Sequence, residues 1–315
     1  MNLFDELRTR EAAAPYERLA RKALTSYGLT DAKITPVSVA SRVVYRVTEG
    51  KLAYALAIHP HGWDRRAVER SLLWQTAICR SAVIRCPEPV LTLAGDLAQS
   101  LSTQGVSGFR TVELSSWVPG EALPPAEWSE ELARRVGAEI GRLHAHGALY
   151  ALPLEMRSAA PTAESLRTRL DAKDLAHKTD EPNVAVLADA LDRVCEGLSC
   201  GQGLIHGRLR SRSILVESET GDLSIVGFHR TTMSYVALDL ATLSLAFRGL
   251  HRESGLISAL LDGYAETAPS EVEEGELVPY RLWHLLEEIA ALEPDAQSGT
   301  KRRLLAAVQQ LVEGS

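Results

Sequence analysis

The chain of 315 residues is 45% hydrophobic and 24% charged, which suits a sizeable buried core and excludes extended disorder. Its net charge of −7 disfavours nucleic-acid binding as a main role. No apolar run approaches the roughly 18 residues of a membrane span, and the opening Met1-Asn2-Leu3-Phe4-Asp5-Glu6-Leu7-Arg8 lacks a signal peptide's apolar core, so a cytoplasmic protein away from membranes is expected.

In chain order, Tyr16, Leu19, Ala20, Ala23 and Leu24 recur at helical spacing and predict a helix over 13–27, packed outside the sheet that follows. Segments 34–39, 43–48 and 53–59 read as strands from their Val, Ile, Tyr and Leu content, with Glu49-Gly50-Lys51 as a hairpin turn. A helix is expected over 65–80. Beyond the break at Pro119-Gly120 the chain is predicted to be mainly helical, over 128–147, 163–173, 183–199, 236–248, 254–267, 278–293 and 300–313. Ser129 is a plausible start for the first of these, and Ser158-Ala159-Ala160-Pro161-Thr162 reads as a connector. A hairpin is expected over 214–228, with Glu217, Glu219 and Asp222 in its turn. The four cysteines, Cys79, Cys86, Cys195 and Cys200, show no metal-ligand spacing and are expected to be reduced, structural thiols. Arg far outnumbers Lys among the basic residues, and together with abundant Ala and Leu this suggests a high-GC bacterial source.

The stretch Leu204-Ile205-His206-Gly207-Arg208-Leu209-Arg210-Ser211-Arg212-Ser213-Ile214-Leu215 carries the most information. It resembles the catalytic loop of the aminoglycoside phosphotransferase and choline kinase family, whose text is H-G-D-x-x-x-x-N-I-L. That Asp accepts the substrate hydroxyl proton and that Asn helps hold magnesium. Arg208 and Ser213 stand in their places. The family follows with I-D-F about fourteen residues after the Asn, its Asp gripping the metal; here that step reads Val226-Gly227-Phe228-His229. A structural D-L-A comes next in the family, and Asp239-Leu240-Ala241 matches it in register. The resemblance implies an α+β, bilobal protein-kinase-like fold: a small antiparallel-sheet lobe over 1–119 and a helical lobe over 120–315.

The earlier part of the chain departs from the family in the same way. Family text such as Y-V-L-R-I-H carries a basic residue for the ATP phosphates, whereas Tyr54-Ala55-Leu56-Ala57-Ile58-His59 places Ala57 there. Ser71 is the nearest equivalent of the helix Glu that orients that base, since Glu69 lies about 200° away around the helix. Arg42, Arg46 and Lys51 are the nearest cations that could substitute. Phe109-Arg110-Thr111-Val112-Glu113-Leu114-Ser115-Ser116-Trp117-Val118-Pro119-Gly120 resembles the family's last strand and hinge, which implies an adenine-sized slot near Trp117.

Phosphoryl transfer depends on positioning and on neutralising phosphate charge, so the losses at Ala57, Ser71, Arg208, Ser213 and Gly227 predict a catalytically inactive, pseudokinase-like member. It needs neither Mg-ATP nor another metal. The expected role is binding, regulation or scaffolding for a protein or peptide partner, conceivably in a bacterial natural-product or peptide-modification pathway. One alternative is a changed, magnesium-independent reaction on a phosphorylated or carboxylated substrate; another is residual small-molecule or nucleotide binding without turnover. Arg208, Arg210, Arg212, His229 and Arg230 are expected to gather where magnesium would sit and, with Trp117, are the candidate ligand-binding residues for an anion, because guanidinium forks suit phosphate and carboxylate. Solvated surface ion pairs are the competing account of the arginines. His206 and Asp239 are assigned structural roles. His144 and His146 fall on different sides of their helix and make no metal pair. Asp171, Asp174, Asp180, Glu181, Asp189 and Asp192 make 163–199 acidic, where relatives build the acceptor pocket.

Overall fold

The structure, a computed structural model, describes residues 10–39, 42–179, 183–292 and 296–314. The opening octapeptide, Asp180 and Glu181 lie outside the described residues. The chain divides into two compact units. The first comprises the described residues up to Glu121, with Leu152–Met156 and Leu215–Thr231; the second comprises Ala122–Ala151, Arg157–Ile214 and Thr232 onward. The first run of the first unit ends at Glu121, just after Pro119-Gly120, and segment 215–231 packs with that unit.

In the first unit α1 (Arg10–Thr25) precedes strands β1 (Lys33–Val39), β2 (Val43–Glu49) and β3 (Leu52–Ile58). Helix α2 (Arg65–Arg80), β4 (Ala98–Leu101) and β5 (Arg110–Ser116) follow. The five strands form one antiparallel sheet in the order β1-β2-β3-β5-β4. Alternation sends Val43, Tyr45, Val47, Leu56, Ile58, Val112 and Leu114 to one face, where they meet the Tyr16, Leu19, Ala20, Ala23 and Leu24 stripe of α1. The opening helix is therefore half of the core rather than an outer layer, and it starts three residues earlier than its apolar stripe suggests. Val68 and Leu72 of α2 pack with Ala98 of β4. Strand β4, which the sequence did not announce, pairs with residues 110–113 of β5; segment 88–90 continues that edge through Val90 N–H to Leu114 O (2.9 Å) and Ser116 N–H to Glu88 O (2.8 Å). The hairpin Ile214–Val216/Leu223–Ile225 forms as expected. Its turn carboxylates Glu217 and Asp222 both bind Arg85, at 3.0 and 2.6 Å.

The second unit holds α3 (Glu130–Leu149), α4 (Ala163–Arg169), α5 (Ala172–Thr179), α6 (Val184–Glu196) and a two-stranded sheet of β6 (Gln202–Ile205) and β7 (Thr232–Tyr235). Helices α7 (Ala237–Ser244), α8 (Glu253–Ala265), α9 (Leu277–Ala290) and α10 (Ser298–Glu313) complete it. Ser129 caps α3 by accepting the Leu132 N–H at 3.0 Å. The single helix expected over 163–173 is two, because Leu170 leaves helical geometry and the Asp171 carboxylate starts α5 by accepting the Lys173 and Asp174 N–H groups. Helix α7 is buried at every residue, which explains its lack of a polar face. No helix among the described residues is long and apolar enough to cross a membrane.

Helices α3 and α8 approach closely enough that backbone meets backbone. A Cβ at Gly263 would lie 1.8 Å from the Arg134 carbonyl oxygen, and one at Gly137 would lie 2.0 Å from that of Leu260. Glycine is dictated here by helix separation. Gly263→Ala should therefore destabilise the fold by about 2–3 kcal/mol despite the better helix propensity of Ala, read as a lower urea midpoint with an unchanged m-value.

Candidate functional site

The residues singled out in the sequence fall in both units, and each group has its own surroundings. In the second unit the loop after β6 is held by Asp239, the third residue of α7. Its fully buried carboxylate accepts the backbone N–H groups of His206 (2.7 Å) and Gly207 (2.9 Å). His144 Nε2 lies 3.2 Å from the same carboxylate, and His144 Nδ1 lies 3.1 Å from the Tyr264 hydroxyl. Burial works to raise the Asp239 pKa, but the His144 hydrogen bond, the two neighbouring histidines and the loop N–H outweigh it and hold the group below the ordinary aspartate value. Asp239 is thus an acceptor for loop backbone, and His206, itself buried, is part of that packing. His146 stacks instead on Tyr150, with ring centroids 5.7 Å apart.

Further along the loop, Arg208 and Arg210 converge on one carboxylate that motif reading did not reveal. Glu288 of α9 lies 2.5 Å from Arg208 Nη2 and 2.8 Å from Arg210 Nη2. Arg210 Nη2 is also 3.5 Å from His284 Nε2, one helical turn before Glu288. Burial raises the Glu288 pKa, but Arg210, Arg208 and His284 together pull it below the usual value. The His284 pKa is also lowered, which here favours the uncharged form: burial, opposed by Glu288 and aided by the two arginines, pushes it down to about 4, so it is neutral at pH 7. Ser213, at the family's Asn position, turns back on its own loop, its hydroxyl accepting the Arg210 N–H at 3.3 Å. Arg212 is solvent-exposed.

In the first unit Ala57 of β3 is the direct cross-strand partner of Glu113 of β5. Direct partners share a face with Cβ atoms about 5 Å apart, so a carboxylate lies beside the place where the family's basic side chain would leave the strand. Arg42 Nη1 binds Glu113 at 2.6 Å, and the buried His59 Nε2 lies 3.4 Å from it. Burial tends to raise the Glu113 pKa, while His59 and Arg42 together hold it below the ordinary value. Of the three substitute cations considered from sequence, Arg42 is thus clasped by Glu113, and Arg46 lies 4.8 Å over the Trp117 ring. Ser71 is buried and its hydroxyl donates to the Ala67 carbonyl of its own helix; Glu69 is paired with Arg65 at 2.7 Å. Gly227 has φ +91°, in the left-handed region. It is followed by Phe228, which meets Trp74 edge-on, and by His229 and Arg230, both against Trp63. The Arg230 guanidinium lies 4.6 Å from the Trp63 ring centre.

Within the second unit Arg208 and Arg210 meet Glu288, and within the first unit His229 and Arg230 lie against Trp63. The sequence did not mark Glu288, His284, His59 or Trp63 as site residues. Glu113 carried one usable signal, a carboxylate set between the apolar Val112 and Leu114 of a buried strand. Among the described residues no group of three or more His, Cys, Asp or Glu converges as a metal site.

A family model described as "Phosphotransferase enzyme family" matches residues 33–275. Among solved structures, a microcompartment-associated aminopropanol kinase is similar at 19% identity and TM-score 0.78, covering 94% of this chain and 96% of the other. The amicoumacin kinase hAmiN follows at 17% and 0.73, with coverage of 97% and 96%. A choline/ethanolamine kinase family protein from Mesorhizobium loti matches at 16% and 0.63, with coverage of 94% and 95%. No curated protein sequence matches the chain significantly. At these identities the structural likeness establishes the fold, that of kinase-like phosphotransferases with an antiparallel-sheet first part and a helical second part.

The His284 environment fixes a pH dependence. A histidine titrating at about 4 in the fold and at 6.5 in the unfolded chain leaves the unfolded state holding more protons throughout that interval, so stability falls as pH is lowered from 6.5 to 4. The loss should be on the order of 2 kcal/mol after allowance for partial exposure. In His284→Gln, melting temperatures measured from pH 7 to 4 should decline less steeply than in the wild type.

Proposed function

The chain belongs to the phosphotransferase enzyme family, and from that premise we propose that it is a member that binds rather than transfers, a pseudokinase acting as a regulatory or scaffold partner of another protein or peptide. The observation that carries this reading is the Arg208–Glu288–Arg210 cluster. At the position where the family keeps its proton-accepting Asp, this chain has a cation already engaged by an acid from α9. An arginine fixed in that way can neither accept a substrate proton nor attract a divalent ion.

The remaining positions support the same reading. Ser213 spends its hydroxyl on the loop backbone, Gly227 has no side chain, and Ala57 and Ser71 carry no charge. These residues do not fit magnesium, whose sites need hard oxygen ligands. A magnesium-independent reaction is less well supported, because His206, one of the two histidines that could move a proton, is buried beside Asp239. The guanidinium forks of Arg208 and Arg210 suit a partner that brings a carboxylate or phosphate, such as an acidic peptide. A bacterial setting belongs to the same proposal; its support is the arginine-rich composition.

The test is nucleotide binding with and without metal. Thermal melts with millimolar ATP should show no shift that depends on magnesium, and affinity capture from the native host should return a specific partner. A magnesium-dependent ATP shift, or phosphate transfer to any acceptor, would sink the proposal. Gly227→Asp should not restore metal binding and should cost about 1–2 kcal/mol, because an L side chain is strained at φ +91°; chemical denaturation measures that cost.

A further inference from the structure

Two cysteines expected to be inert thiols are placed within reaction distance of each other. Cys79 lies in the last turn of α2 and Cys86 in the segment that follows, and their sulfur atoms are 3.3 Å apart. The turn that brings them together is well defined. Ser81 N–H bonds to Ala77 O (3.0 Å), Val83 N–H bonds to Ile78 O (3.3 Å), and Ala82 takes the left-handed conformation, φ 49°, that reverses the chain after the helix. The returning segment is held along α2 by Gln75 Nε2, which donates to the Pro87 carbonyl at 2.5 Å one turn before Cys79. Both cysteines are half-buried and reduced in the structure.

We propose that Cys79 and Cys86 form a reversible intramolecular disulfide, a redox modification site that staples the end of α2 to the segment lining the edge of β5. A disulfide has sulfurs about 2.05 Å apart, so closure needs a movement of little more than an ångström. This inference is independent of the proposed binding role.

The oxidant, by class, is a low-molecular-weight disulfide such as oxidised glutathione. Cys79 as thiolate attacks one sulfur of the oxidant, whose S–S bond breaks; the first thiol leaves with the proton that Cys79 lost. Cys86 then gives up its proton and attacks the Cys79 sulfur of the mixed disulfide, releasing the second thiol. The protein loses two electrons and two protons, and the oxidant gains both. The order follows from the local environment. A hydrogen bond from the Cys86 thiol lowers the Cys79 pKa, and the same bond, with burial, raises that of Cys86. Cys195 and Cys200 are occupied elsewhere, against the Ala163 carbonyl and Glu276, and serve as internal controls.

A disulfide here would couple two elements. Cys86 precedes residues 88–90, which bond to the last residues of β5 through Glu88 N–H to Ser116 Oγ, Ser116 N–H to Glu88 O and Val90 N–H to Leu114 O. Oxidation would thus tie α2 to the strand that leads into Trp117.

The full chain should be equilibrated with oxidised glutathione and its intact mass compared with the reduced form. The expected result is a loss of about 2 Da, reversed by dithiothreitol, with peptide mapping that joins Cys79 to Cys86. The melting temperature should rise by about 3–8 °C on oxidation, a rise absent from Cys79→Ser and Cys86→Ser and retained in the Cys195→Ser/Cys200→Ser double variant. A wild-type protein that takes up glutathione without closing the bridge, that stays reduced throughout, or that closes a bridge still present in Cys79→Ser would overturn the assignment. The wild-type measurement alone decides the matter if a serine variant fails to fold.

Discussion

A single buried carboxylate, that of Asp239, fixes the shape of the loop on which the family resemblance rests. It receives two consecutive backbone N–H groups, from His206 and Gly207, together with a contact from His144. A buried carboxylate is tolerable only when it is this well supplied with hydrogen-bond donors. The support is structural and involves no residue that would act in phosphoryl transfer. The loop can therefore keep its frame while Arg208 and Ser213 stand where the family has catalytic groups. The loop's frame and the family's catalytic positions are carried by different atoms, so the frame is kept while the residues at those positions differ.

The residues around the positions that depart from the family text follow one electrostatic pattern in both units. In each, an acid not marked by the motifs meets an arginine near a vacated position: Glu288 with Arg208 and Arg210, and Glu113 with Arg42 beside Ala57. Both carboxyls are held below the ordinary value against the effect of burial, Glu288 mainly by Arg210 and Arg208 and Glu113 by His59 and Arg42. Partly desolvated pairs of this kind tie side chains to one geometry. A cation so engaged is a poor competitor for magnesium's role, since it carries the wrong coordination chemistry, yet it remains suited to a carboxylate or phosphate brought by a partner. The surface ion-pair account of the loop arginines is partly met too, because their counter-ion is supplied from within the chain.

Strands β1 to β3 and helix α2 were legible because their apolar positions repeat at periods 2 and 3.6 and their turns are local. Helix α4 ran on too far in the sequence reading, since Leu170 continues the apolar pattern and only the Asp171 carboxylate, capping the next helix, shows where it ends. Strand β4 was missed because four residues, Ala98-Gln99-Ser100-Leu101, carry little periodicity of their own and form a strand by pairing with β5. The close seam of α3 and α8 at Gly137 and Gly263 was also hidden, as a glycine in a helix does not by itself reveal which backbone it admits.

The sequence by itself determined the family frame and which residues stand at the family's catalytic positions, because motif order and spacing are properties of one strand of text. It could not determine where the arginines would find their charge. Arg208 and Glu288 are 80 residues apart, and Arg42 and Glu113 are 71 apart. Only packing decides which of 41 acidic side chains comes within hydrogen-bond distance of a given guanidinium, and Coulomb attraction at that range depends on burial and direction rather than on position in the chain. The same holds for Cys79 and Cys86: their spacing is visible in the sequence, whereas the facing of their sulfurs was decided by the turn after α2.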